Sequence, residues 1–134
     1  KDAGVNINVK FEPATNFFAQ SYLKAPFTQD YWYYVPYLAN VAGATLANAP
    51  FNATHFRDAE YDALFAKAVA TVDTDARAAI VTQMQQIDYD RGGNIVPVFY
   101  PVVDALSPRV GGVQEDVSGF AFGNNTFQDV WLQA

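Results

Sequence analysis

Between Asp30 and Leu38 the chain reads DYWYYVPYL, five aromatic residues (Tyr31, Trp32, Tyr33, Tyr34 and Tyr37) behind a single acid. Rings in such a run can stack on planar or apolar groups, and their hydroxyls and indole N–H can orient what they hold. The same polar tips need hydrogen-bond partners if the run is sealed in a dry core. Two readings stand side by side: a core-lining strand at a layer boundary, or a recognition surface. On the second reading Trp32 and Tyr34 are the leading ligand-binding candidates. Tyr31 and Tyr33 alternate with them along a strand, so at least one of each pair is expected to face the core. Asp30 is the candidate charge partner for a cationic group of the ligand.

The residue types that drive catalysis are not arranged to do so. His55, the one histidine, lies in NATHF with no motif around it, and an isolated histidine is usually structural or solvated. No HExxH, Walker A loop, GxGxxG or GxSxG is present. Carboxylates gather at Asp58, Glu60 and Asp62 and again at Asp73 and Asp75, and helix-start chemistry accounts for both groups. Neither supplies the D-x-[DN]-x-[DN]-G pattern of a calcium loop. With no cysteine there is no disulfide, thiolate metal site or cysteine nucleophile. We therefore expect no catalytic residue, no metal and no cofactor. A hydrolase built on Asp30 or the helix-start acids has only the presence of carboxylates to motivate it. Asn52 and Asn124 each open an N-x-T triplet, a pattern too short to carry weight.

Composition narrows the partners. Fourteen acids against eight basic residues give a formal charge of −6, and the basic residues are scattered. Phosphate backbones require clustered Lys and Arg, so nucleic acid is an unsuitable partner, as is an anionic membrane surface. Apolar residues make up 51% of the 134 positions and charged residues 16%, where about 25% is ordinary. Such a chain is not disordered. It points instead to a fragment of a larger protein, or to a subunit with a large covered surface.

The elements that must carry these residues read as follows. Residues 5–11 alternate, with Val5, Ile7, Val9 and Phe11 on one face and Asn6, Asn8 and Lys10 on the other, the pattern of a half-wet or edge strand. The strand follows Gly4 directly, where a βα unit would place the end of a helix, so the sequence is expected to begin in mid-domain. ATNFFAQSYLK reads as a helix capped by Thr15 with Phe17, Phe18, Tyr22 and Leu23 inward. APFTQDYWYYVP reads as a strand entering a loop, and residues 37–56 as a short helix in a long irregular crossing. Asp58 is the expected cap of a helix whose stripe is Tyr61, Leu64, Phe65, Ala68, Val69 and Val72. Thr74 is the expected cap of a second, lined by Ala76, Ile80, Met84 and Ile87 and stopped by Gly92 and Gly93, the two forming an αα-hairpin. Beyond it, NIVPVFYPVVDALSP, RVGGVQEDVSGFAFGNN and TFQDVWLQA are β-like, with Pro97 and Pro101 confining the first to edges.

From Phe56 to Tyr100 the residues resemble the C-terminal region of the family 5 extracellular solute-binding proteins of ABC transporters, the dipeptide-, oligopeptide- and nickel-binding type. The resemblance rests on Asp58, Tyr61, Asp62, Leu64 and Ala68, on Asp73 and Arg77, on Gln83 or Gln85 with Ile87, and on Val96–Phe99. AGVNINVKF upstream and DALSPRVGGV and FQDVWL downstream resemble flanking family motifs in the same order. It implies an α/β fold, the C-terminal lobe of a two-lobed periplasmic-binding-protein-like molecule that closes on its ligand. Residues 1–93 would belong to that lobe, with an αα-hairpin, and residues 94–134 to a β-rich crossover returning to the N-terminal lobe. Trp32 matches the Trp near the family's interlobe cleft. Val35 stands where the family commonly has an acid that meets a peptide's amino terminus, a departure that weighs against dipeptide recognition.

The function implied is the non-catalytic substrate-binding component of an importer. Its partners would be a small-molecule or peptide ligand and a membrane permease, and its place periplasmic or extracellular, with a lipoprotein anchor in the full-length protein as one form. A self-contained aromatic-rich carbohydrate or protein-interaction module is the alternative. With the other lobe missing, the strands from Ile95 to Leu106 are expected to pair locally or with another copy, giving self-association or a rearranged tail and weak or no ligand binding by these residues alone.

Overall fold

A computed structural model of the chain describes residues 4–114 and 120–133. Its centre is three helices: α2 (Tyr37–Ala44), α3 (Ala59–Ala70) and α4 (Thr74–Arg91). A single turn, α1 (Ala14–Asn16), precedes them and runs into a π-helical turn at Phe17–Ser21. The β structure among the described residues is one antiparallel pair, β1 (Val110–Gly111) with β2 (Trp131–Leu132), in register Val110 to Leu132 and Gly111 to Trp131.

This corrects the expected fold class. The described residues form a small, mainly helical unit with one minimal ribbon, not a two-lobed α/β fold with a parallel sheet. The alternating segment 5–11 is extended but joins no ladder, and Val5, Ile7, Val9 and Phe11 are all exposed. Alternation specifies which side of a strand is apolar, but a strand forms only where a neighbour accepts its backbone hydrogen bonds. The same holds for residues 94–107, extended and unpaired, and for the run before α2. Of the β-like reading of residues 109–125, the part at 115–119 lies outside the described residues. Residues 121–125 curl into a left-handed turn, with Phe122, Gly123 and Asn124 all at positive φ.

The helices form where the acids predict them to. Asp58 caps α3, its Oδ1 accepting from the Tyr61 N–H at 3.0 Å. Asp73, not Thr74, caps α4, accepting from the Ala76 N–H at 2.8 Å, so the helix begins one residue earlier than the Thr reading places it. Arg77 of α4 donates to the carbonyls of Thr71 and Val72 at 3.1 and 3.3 Å, satisfying acceptors left at the end of α3. At the far end Arg91 reaches back to Asp58 (2.6 Å) and Glu60 (2.7 Å) of α3. Arg91, by hydrogen bonding and its charge, holds the Asp58 carboxyl below its ordinary pKa, and the Tyr61 N–H adds to this.

The core is narrow: Val41, Tyr61, Ala68, Ile80, Met84 and Ile87, flanked by half-buried Tyr37, Leu38, Leu46, Phe56, Leu64, Phe65 and Val81. Ala76, Val69 and Val72, expected in the stripes, are exposed: Val72 lies beyond the end of α3 at Ala70, and Val69 and Ala76 are left uncovered by the described residues. Three polar groups cross the core. The hydroxyls of Tyr37 (α2) and Tyr61 (α3) lie 2.7 and 3.0 Å from Asp88 Oδ2 (α4), and 3.1 Å from each other. Burial raises the pKa of both phenols well above the ordinary tyrosine value, and the Asp88 carboxylate raises each further.

Met84 is fully buried, so Met84→Ala should lower unfolding free energy by about 2–5 kcal/mol, measured by urea denaturation. The raised phenol pKa values carry a sign. The folded state holds these protons more tightly than the unfolded chain, so their contribution is intact below the unfolded tyrosine pKa of about 10 and falls as pH rises above it. The urea midpoint should therefore drop between pH 9 and pH 11 (roughly the window around that value). In Tyr37→Phe the drop should be smaller, and an unchanged pH slope would contradict the role given to the Tyr37 hydroxyl.

Candidate functional site

Four of the five rings of the aromatic run stand outside the core, and the fifth, Tyr37, packs against it. Tyr31, Trp32, Tyr33 and Tyr34 are all exposed, Tyr31 at 77% and Trp32 at 42%, which rules out the core-lining reading and the expectation that one of each pair turns inward. The reason is local: residues 30–36 are extended but belong to no ladder, so nothing enforces two-sided alternation. Asp30, Tyr31, Trp32 and Tyr33 instead line one hollow of about 390 Å³ together with Phe18, Tyr22 and Phe51. Tyr34, a leading candidate from the sequence, is not part of that lining.

Each wall has its own support. Trp32 packs edge-to-face on Phe51 (centroids 5.9 Å) and tilted on Tyr33 (6.3 Å), and Tyr33 in turn meets Phe120 (5.5 Å). Phe17, Phe18 and Tyr22 form a second cluster with centroids 5.1–5.9 Å apart. The turn carrying Phe18 is tied to the preceding segment by the Ser21 hydroxyl, which donates to Glu12 at 2.6 Å. At the C-terminal end of the run, Tyr37 opens α2 and is fixed to Asp88 across the core, which anchors that end.

Phe51 is held by a loop built around Asn52. The Asn52 amide donates to the carbonyls of Leu46 (3.1 Å) and Phe56 (2.8 Å), while its oxygen accepts from the Phe56 N–H (3.2 Å) and the Thr54 hydroxyl (3.1 Å). The Phe51 N–H donates to Gly43 at the end of α2 at 3.0 Å, closing the loop onto that helix. Asn52 is 8% exposed with its amide fully engaged, so its N-x-T triplet is a loop-building device in the folded chain.

The polar equipment of the hollow is modest. Asp30 accepts from its neighbour's N–H, Tyr31, at 2.7 Å through Oδ1, and its second oxygen has no partner among the described residues. Burial raises the Tyr22 phenol pKa, with the Asp30 charge adding to it, so Tyr22 is a donor at neutral pH. The arrangement offers ring faces, phenol hydroxyls and one carboxylate, which suits a solute with a planar or apolar part and a donor or cationic group. No group of three or more His, Asp or Glu able to hold a metal occurs among the described residues.

Sequence reasoning missed Phe51 and Phe120 altogether and placed Phe18 and Tyr22 in a helix face. Phe51 sits in APFN, a loop without periodicity, and only closure by Asn52 brings it to Trp32. Arg57, unassigned from the sequence, and His55, read there as structural or solvated, line a second hollow with Leu23, Ala47, Asn48, Ala49, Pro50 and Asn52.

Against known proteins, no family model, no curated protein and no solved structure matches this chain.

Proposed function

We propose that this chain binds a small solute, peptide or peptide-like, and does no chemistry on it, serving as the substrate-binding part of an ABC importer that works with a membrane permease in a periplasmic or extracellular setting. The observation that carries the proposal is the open hollow in which Asp30, Tyr31, Trp32 and Tyr33 meet Phe18, Tyr22 and Phe51. At about 390 Å³ it falls in the range of small-ligand sites, about 300–1,000 Å³. The importer setting is supported by the ordered motif residues from Asp58 to Phe99, which resemble the family 5 solute-binding proteins. No closing motion is invoked, because the described residues form one helical unit.

In this reading the rings grip by stacking and by excluding water, and Asp30 sets orientation. Trp32 contributes most, being braced on two sides by Phe51 and Tyr33 and so already ordered before the ligand arrives. A second reading, a module that stacks sugar rings, is favoured by the openness of Tyr31, 77% exposed, since sugar faces lie flat on exposed aromatic rings.

Calorimetric titration with a panel of short peptides, and in parallel with oligosaccharides, tests both. Saturable peptide binding is expected, with Trp32→Ala weakening it by about 1–3 kcal/mol, the range of single stacking contacts. Asn52→Ala should weaken the same binding by releasing Phe51, and should also lower the urea midpoint through its buried hydrogen bonds. Saturable binding of sugars alone would transfer the site to the second reading. Peptide affinity unchanged in Trp32→Ala would remove the groove from the function.

A further inference from the structure

The second hollow is lined by residues that adjoin those of the first along the chain. Tyr22 lines the aromatic groove and Leu23 the smaller hollow, while Phe51 lines the groove and Pro50 and Asn52 the hollow. The pair are thus neighbours across two short stretches of chain. Their chemistry differs sharply. The smaller hollow, about 240 Å³, is lined by Arg57, His55 and Asn48 and by no acid.

Arg57 stands out among the basic residues by its place, exposed at the edge of this hollow. Lys10 is paired with Glu12 and Arg91 with Asp58 and Glu60, while Lys24, Arg77 and Arg109 donate to backbone carbonyls. Arg57 and Lys67 are left with no side-chain acceptor among the described residues, and of the two it is Arg57 that lines the hollow. The nearby Asp62 carboxylate is turned to the Ala47 N–H at 3.4 Å, and the amide of Asn52 is spent on its own loop. His55 is brought into the lining by a left-handed backbone (φ +54), with its N–H on the Asn52 carbonyl at 3.3 Å. Histidine enters that region more readily than most side chains, and the bond to the Asn52 carbonyl ties His55 to the loop there.

We infer that the hollow lined by Arg57, His55 and Asn48 receives an oxyanion, a carboxylate or a phosphate group, carried by the solute whose planar part lies in the aromatic groove. The guanidinium supplies a fork of donors matched to two oxygens, and imidazole and amide N–H groups complete the donor set. The second half of the statement rests on the groove reading of the proposed function; the first half stands without it. Specificity follows from the arrangement, because an uncharged analogue leaves the Arg57 donors unanswered.

The chain's single histidine makes the test direct. The imidazole resonances of His55 and the indole resonance of Trp32 are followed by NMR at one fixed pH during titration with 3-phenylpropionate, its primary amide and inorganic phosphate. Phenylpropionate is expected to move both signals, the amide only Trp32, and phosphate only His55. In Arg57→Gln the His55 response to both anions should weaken by at least about tenfold, the loss typical of a charge-assisted hydrogen bond. Response to the carboxylate but not to phosphate, or the reverse, names which oxyanion the site takes. His55 signals that stay still with both anions, or that move equally in Arg57→Gln, overturn the subsite. A His55 response with a motionless Trp32 keeps the oxyanion site and removes the groove instead.

Discussion

One carboxylate oxygen ties the molecule together. Asp88 Oδ2 lies within hydrogen-bond distance of the Tyr37 and Tyr61 hydroxyls, and those three residues come from three different helices. The arrangement is held on both sides: Tyr61 is fully buried, so its hydroxyl must find a partner, and an orphaned buried hydroxyl costs about 1–3 kcal/mol. With a core of six buried residues, a penalty of that size is a large share of what keeps the unit folded. The apolar contacts fix how closely α3 and α4 approach. The hydroxyl–carboxylate knot fixes where α2 sits on them, and α2 carries the aromatic run at its N-terminal end.

The groove inherits its order from that knot and from the Asn52 loop, not from secondary structure of its own. Residues 30–36 have no ladder, and a free extended segment loses about 1–2 kcal/mol of conformational entropy per residue when fixed. Anchoring one end through Tyr37 and bracing Trp32 against Phe51 reduces what a ligand must order for itself. This explains why rings can stand exposed and still present a defined surface. It also couples the two hollows, because Asn52 both presents Phe51 to the groove and shapes the backbone that turns His55 into its neighbour.

How far the sequence reads depends on the range of the interaction. Asp58 was legible as a cap because its partner, the Tyr61 N–H, is three residues away. Asp73 and Thr74 are adjacent residues that can both cap, and a one-residue difference in where α4 starts decides between them. The apolar periodicity located Tyr61, Ala68, Ile80, Met84 and Ile87 correctly and overreached at Val69 and Val72, since periodicity does not say where the packing layer ends. At residues 5–11 and 94–107 the pattern was that of strands, but ladder formation needs a second segment that the pattern does not name. The two-lobed α/β expectation fell for that reason.

The candidate site divides along the same line. Asp30, Tyr31, Trp32 and Tyr33 stood out as a local run and do converge, whereas Tyr34 was included only because a strand would have set it beside Trp32. Phe51 and Arg57 carried no local signal: one is brought in by a buried asparagine, and the other gains meaning only because the surrounding acids are already engaged elsewhere. Charge in this chain is therefore informative by what is left over. The helix-start carboxylates spend themselves on caps and on Arg91, which leaves a guanidinium at the rim of an uncharged hollow. Exposed to water, next to Asp58 in the chain and near Asp62, that guanidinium acts on an anion only at contact range, because solvent and the neighbouring acids cut its field at longer distances.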